Sequence, residues 1–203
     1  PFGIFILGNY AYLVTDHASA SDPEFFIFDI TTPTAPTLVG KCLTGKKINN
    51  VFVAGNYAYL ATQQTTSNKP EMVVIRIIDP TNPIVVSRKT LTGSAYAKDV
   101  AVVGNRAYIT TLSNSSGPEF FVIDVTNPEQ AGATLGTLEF ANNVNSLSIS
   151  GNFAYIATSN NTKEIQIIDI SNSAMPRISK TYDNPGNADG SDILISGNNL
   201  YLS

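Results

Sequence analysis

Gly-Asn ahead of a short aromatic or apolar strand recurs five times in this chain, at Gly8-Asn9, Gly55-Asn56, Gly104-Asn105, Gly151-Asn152 and Gly197-Asn198. The steps between them are 47, 49, 47 and 46 residues. A period in the forties, rich in β-branched and aromatic residues, points to an all-β fold: a β-propeller of four-stranded antiparallel blades, one per repeat. The repeat divides the chain into blades at about 2–44, 48–91, 99–140 and 144–182, with a partial fifth at 191–203. No composition break interrupts it, so the 203 residues read as one β-propeller domain or part of one.

The third repeat shows the anatomy of a blade. Val100 to Val103 is apolar, Gly104-Asn105 turns the chain, and Arg106 to Thr111 returns as the second strand of a hairpin. Glu119 to Val125 is the third strand, Thr126-Asn127-Pro128 a turn, and Thr134 to Phe140 the fourth strand. Across the repeats the third strand reads Phe25-Phe26-Ile27-Phe28-Asp29, Ile75-Arg76-Ile77-Ile78-Asp79, Phe120-Phe121-Val122-Ile123-Asp124 and Ile165-Gln166-Ile167-Ile168-Asp169. Apolar residues at both parities imply a strand covered on both faces, as stacked blades require. The four aspartates, each followed by Thr or Ser two residues on, read as turn-fixing carboxylates rather than a catalytic ring. A feature repeated in every blade belongs to the architecture.

These segments resemble the LVIVD-repeat family of bacterial and archaeal β-propeller proteins. The resemblance rests on the four Asp-terminated strands, the Asp-x-Ser/Thr-Asn-Pro turn, and the hairpins Gly8-Asn9-Tyr10-Ala11-Tyr12 and Gly55-Asn56-Tyr57-Ala58-Tyr59, with Gly151-Asn152-Phe153-Ala154-Tyr155 close to them. It implies a propeller, often within secreted or surface-attached proteins, and no shared catalytic residue. The fourth repeat departs from the pattern: Ser173 replaces the turn proline, which predicts a slightly different turn there.

Charge and composition exclude several classes of function. The formal net charge is −4 and the basic residues are scattered, which disfavours a nucleic-acid partner. No apolar run approaches the about 18 residues of a membrane-spanning helix, so no membrane insertion is expected. The lone Cys42 permits no internal disulfide and reads as a buried small hydrophobe. Few cysteines suit a cytoplasmic protein as well as a surface one. An extracellular or cell-surface location, which the resemblance implies, is the leading expectation. The first residue, Pro1, fits a processed chain or a fragment. The half-formed fifth repeat predicts membership of a longer propeller or assembly of about six to eight blades, against a closed ring of four or five.

The loops that break the repeat are where a site is expected. From them come the candidate ligand-binding residues Asp16, His17, Asp22, Lys46, Lys47, Tyr96 and Lys98. His17 is the only histidine, which rules out a multi-histidine metal centre. No nucleophile elbow occurs, and no catalytic residue is assigned. Residues 183–192 are rich in oxygen ligands, and Asp183, Asp189 and Asp192 form a weak Ca²⁺ candidate without the EF-hand pattern. The leading function is a non-enzymatic binding or scaffold module with a protein or glycan partner and no resident cofactor. A lyase or hydrolase with a site at the propeller channel, and a purely structural domain of a larger surface protein, are the alternatives.

Overall fold

The computed structural model of the protein describes residues 2–16, 19, 21–63, 70–93, 96–113, 117–130, 132–186 and 188–203. It is all-β. The first blade contains β1 (Gly3–Leu7), β2 (Tyr10–Val14), β3 (Phe25–Asp29) and β4 (Thr37–Cys42), and the second β5 (Lys47–Ala54), β6 (Tyr57–Gln63), β7 (Met72–Arg76) and β8 (Ile84–Lys89). The third contains β9 (Ala97–Val103), β10 (Arg106–Thr111), β11 (Phe120–Asp124) and β12 (Thr134–Leu138). The fourth contains β13 (Val144–Ser150), β14 (Phe153–Thr158), β15 (Ile165–Asp169) and β16 (Arg177–Tyr182). A two-stranded sheet of β17 (Ile193–Ser196) and β18 (Asn199–Leu202) follows. Strands pair antiparallel in chain order within each sheet. Among the described residues no helix is long and apolar enough to cross a membrane.

Each first hairpin turns on its glycine alone. Gly8, Gly55, Gly104, Gly151 and Gly197 have φ between 56° and 59°, whereas the asparagines that follow have negative φ. That is the sign pattern of a type II′ turn, whose twist matches the flanking strands. Within the compact units described below, β1 lies against β5, β9 against β13 and β13 against β17. Within each unit, successive first strands are therefore neighbours, as on the axial side of a propeller.

Burial of the third strand differs between blades. Met72 to Ile75 in β7 and Phe120 to Ile123 in β11 are buried without a break. In β3 and β15 buried and half-buried residues alternate. Cys42 is half-buried rather than buried, and packs against the core of Tyr12, Phe25, Ile27 and their neighbours. Burial pushes its thiol pKa up.

The register corrects one sequence alignment. Tyr10 pairs with Asp29, Arg106 with Asp124 and Phe153 with Asp169, but Tyr57 pairs with Arg76. The second blade therefore carries Arg76 at the ladder position of the other aspartates, and Asp79 lies three residues further on. The sequence misleads here because Ile77-Ile78-Asp79 imitates the strand ending. Asp79 does a different turn's work: its Oδ1 accepts the Thr81 N–H at 2.9 Å, as Asn127 accepts that of Glu129 and Asn172 that of Ala174. The fourth turn is the same despite Ser173, since Met175 N–H reaches Asn172 O at 3.0 Å as Asn82 reaches Asp79 O at 3.0 Å. The proline is dispensable because the side-chain bond to the backbone already sets the turn.

Every complete blade has a register shift between its third and fourth strands at the same place. Opposite Ile27, Val74, Val122 and Ile167 stand Gly40, Ser87, Gly136 and Lys180. A Cβ on Gly40 would collide with the carbonyl oxygen of Pro80, and one on Gly136 with that of Ser173. These small residues admit the turn of the following blade. Lys180 breaks the series, and all of β16 is exposed.

The chain forms two compact units, Pro1–Leu91 with Val125–Gly132, and Thr92–Asp124 with Ala133–Ser203. In the first, Glu129 Oε1 accepts Arg76 Nη1 at 3.0 Å and the Tyr57 hydroxyl at 3.1 Å. Both pairs are exposed, so their net worth is small. Gly136→Ala should lower unfolding stability by about 1–3 kcal/mol through overpacking, measured by denaturant unfolding. The exposed Lys180→Ala should change it by no more than about 0.5 kcal/mol. Equal effects at the two positions would contradict the close approach.

Candidate functional site

Four buried glutamates, not singled out in the sequence, organise the blades. Glu24, Glu71, Glu119 and Glu164 each stand immediately before a third strand and are at most 2% exposed. Each Oε2 accepts backbone N–H groups from the segment that leaves the fourth strand. Glu24 takes Thr44 N at 2.8 Å, Gly45 N at 3.3 Å and the Thr44 hydroxyl at 3.0 Å. Glu71 takes Leu91 N at 2.7 Å, and Glu164 takes Asn184 N at 2.9 Å. Glu119 takes Phe140 N at 2.7 Å and Ala141 N at 3.2 Å. Charge-assisted bonds to backbone donors offset the cost of burying a carboxylate. The sequence signal was present: a glutamate directly ahead of an apolar strand in all four repeats. It reads as a polar loop residue when burial is judged by hydropathy alone.

Glu119 has a second carboxylate, that of Glu139, beside it. Its pKa is raised, first by desolvation, with the neighbouring Glu139 carboxylate adding to the rise and the Phe140 N–H opposing it. Both Glu119 Oε2 and Glu139 Oε1 lie 3.2 Å from the Ala141 nitrogen. Ala141 has φ 55°, the left-handed region, and the two carboxylates hold it there.

The position five residues before each hairpin glycine is small or polar in every repeat: Gly3, Asn50, Asp99, Ser146 and Asp192. In the second unit three of these touch. The Ser146 hydroxyl lies 3.0 Å from Asp99 Oδ2 and 2.6 Å from Asp192 Oδ1. Asp99 also accepts Val100 N at 2.7 Å and Leu147 N at 2.8 Å, and Asp192 accepts Ile193 N at 2.8 Å. The Asn145 amide donates to Gly190 O at 2.8 Å beside it. Asp99 and Ser146 were not singled out from the sequence, because each stands in its own blade's repeat position and only the packing of β9 against β13 brings them together.

The loop candidates fall in three places. Asp16 and Lys47 form an ion pair at 3.3 Å, and Lys47 Nζ sits 4.6 Å from the ring centroid of Phe2. Beside them, Lys46 is half-buried, and its backbone N–H donates to Thr44 Oγ1 at 3.2 Å. Asp22 is exposed, and its backbone N–H bonds Ser19 O at 3.1 Å. Tyr96 and Lys98 are half-buried; the Tyr96 carbonyl accepts Leu112 N–H at 3.0 Å. His17 lies outside the described residues. Asp183 and Asp189 are exposed, while Asp192 is bonded to Ser146. Among the described residues no three His, Cys, Asp or Glu side chains gather as metal ligands.

A cavity of about 490 Å³ at the outer turn of the fourth blade is lined by Asp169, Ser171, Asn172, Met175, Pro176 and Arg177. The Asp169 carboxylate there is bonded by Ser171 and by Arg177 Nη2 at 2.8 Å. The Ser171 hydroxyl and the Arg177 guanidinium bring its pKa down to about 2.

A model described as the LVIVD repeat matches residues 3–44, 45–90, 94–130 and 141–184, most of the chain. No curated protein matches. Among solved structures, the computationally designed Ika4 protein aligns with a TM-score of 0.61 at 13% identity, over 84% of this chain and 91% of that one. A candidate 6-phosphogluconolactonase from Bacteroides uniformis aligns with a TM-score of 0.75 at 16% identity, over 100% of this chain. The chain spans 64% of that protein's length. At such identities the likeness shows the fold alone.

Glu24→Ala would strand two backbone N–H groups and a hydroxyl, and should cost about 2–5 kcal/mol of unfolding stability, read from denaturant midpoints. For Glu119 the folded pKa lies above its ordinary 4.5. Its contribution is therefore complete below pH 4.5 and is lost as pH rises through the folded value. Asp169 has the opposite sign: its contribution is present above pH 3.8 and lost as pH falls through about 2. Glu119→Gln should flatten the decline in stability that sets in above pH 4.5 and leave the acid limb in place. An unchanged profile would refute the raised pKa.

Proposed function

This chain belongs to the LVIVD-repeat family, and from that premise we propose that it is a non-enzymatic binding or scaffold module, extracellular or on a cell surface, that presents variable loops to a protein or glycan partner. The observation that carries this reading is the Asp16–Lys47–Phe2 group. It combines an ion pair with an aromatic ring that is 52% exposed. None of the three serves the repeat. By contrast, the repeated glutamates and turn residues are committed to backbone bonds. An exposed ring beside a carboxylate and an ammonium suits the apolar face and hydroxyls of a sugar, or a mixed protein surface.

The Asp99–Ser146–Asp192 group favours a second reading, a hydrolase or lyase. A hydroxyl between two carboxylates offers acid–base chemistry, and the candidate lactonase of the same architecture makes lactone hydrolysis the first reaction to assay.

A glycan array and a panel of surface proteins, probed with the wild type and with Asp16→Asn/Lys47→Ala, separates the two. Retention on one glycan or protein class, lost in the double variant with an unchanged melting temperature, is the expected result. Absence of retention, together with lactone turnover abolished by Asp192→Asn, would replace the binding reading with the enzymatic one.

A further inference from the structure

We infer that Glu119 and Glu139 form a proton-operated latch on the segment between β12 and β13: a proton shared by the two carboxyl groups closes it, and loss of that proton releases Ala141. Both carboxyl groups reach for one donor. Glu119 Oε2 and Glu139 Oε1 each lie 3.2 Å from the Ala141 nitrogen, which carries a single hydrogen. Glu119 Oε1 is buried and has no hydrogen-bond partner. A proton on that atom makes it a donor to Glu139, so that two adjacent carboxyl groups attract instead of repel.

The arrangement is peculiar to the third blade. Where Glu139 stands, the first and second blades have Leu43 and Thr90. The fourth has Asp183, but Pro185 takes the place of Ala141 there and offers no N–H. In the first blade that place is held by Gly45, with φ 69°, a conformation glycine adopts freely. Ala141 is the one non-glycine residue with positive φ among the described residues, and its Cβ disfavours that conformation. It is held by its acceptors. Once Glu119 ionises, repulsion drives the exposed Glu139 carboxylate into solvent. Ala141 then keeps only a share of Glu119 Oε2, which holds Phe140 N more closely, at 2.7 Å.

Among the described residues, Glu139 is the charged group that acts on Glu119, and the Ser113 hydroxyl faces it from beyond β10. Arg106 of β10 and Asp124 of β11 pair with each other at the far ends of their strands. On β9, Asp99 is bonded by Ser146 and Leu147, and Lys98 does not shift Glu119. β12 and β13 carry no charged side chain. The latch acts on two loops. Asn143 accepts the Ser113 N–H on its Oδ1 at 2.9 Å and the Ser159 N–H on its carbonyl at 3.1 Å. These are the roots of the loops that follow β10 and β14, so closing the latch clamps both and opening it frees them. All these residues belong to the second unit, and the latch stands or falls apart from the Asp16–Lys47–Phe2 reading.

Amide hydrogen exchange of the full chain, resolved by residue and corrected for the intrinsic rate at each pH, tests the latch. As pH is raised above 4.5, protection at Ala141 is expected to fall by about ten-fold, with Ser113 and Ser159 following and Phe140 and Thr44 unchanged. Glu119→Gln and Glu139→Gln each replace the shared proton by an amide donor, and should keep Ala141 protected throughout. Glu139 is exposed, so its variant remains a test if a change at buried Glu119 impairs folding. Glu139→Ala should leave Ala141 poorly protected at every pH. Flat protection at Ala141 in the wild type, the same fall in the Glu139→Gln variant, or a parallel fall at Thr44 would overturn the inference.

Discussion

One interaction recurs through the structure and fixes the rest: a buried glutamate that holds the chain as it leaves its blade. The carboxylates of Glu24, Glu71, Glu119 and Glu164 reach residues 20 to 22 positions downstream. Each bond spans two strands and a turn, so it closes the blade at the point where no ladder can. Those exit segments are loops, whose N–H groups have no strand to pair with. A charged acceptor inside the blade satisfies them and sets the direction in which the next blade begins. The cost of burial, with a second carboxylate beside it, explains why Glu119 sits with a raised pKa.

The second constraint is the small residue in the fourth strand. Gly40 and Gly136 let a neighbouring turn press its carbonyl oxygens onto the sheet. This contact, and the type II′ turn at each hairpin, explain the glycines that recur with the period. In the fourth blade Lys180 takes the position. The repeat therefore varies here as well as in its loops. Arg76, at a ladder position held elsewhere by aspartate, is another such variation, and it finds Glu129 as its partner.

Much of the fold was legible because it repeats. Hairpin glycines, apolar third strands and turn residues recur at one spacing, and the strands lie where that spacing puts them. What escaped depended on contacts that local sequence does not show, the pairing across a sheet and the packing of one blade on the next. The match of Asp79 to Asp29 followed local sequence, and only the register moved Arg76 into that place. The glutamates were visible but silent, since hydropathy does not reveal that a charge is buried and bonded. Asp192 was singled out for its loop composition, but its partner is a serine of the preceding first strand. Composition names possible ligands, and the direction in which each side chain points decides whether they meet.

The central claim is that loop segments are held by carboxylates inside the blades, and amide hydrogen exchange tests it directly. The N–H groups of Thr44, Leu91, Phe140 and Asn184 lie outside the strands yet are expected to exchange as slowly as strand amides. Each should accelerate when its own glutamate is replaced by alanine, with the others little changed. Exchange at these four sites as fast as in the exposed turns would contradict the account.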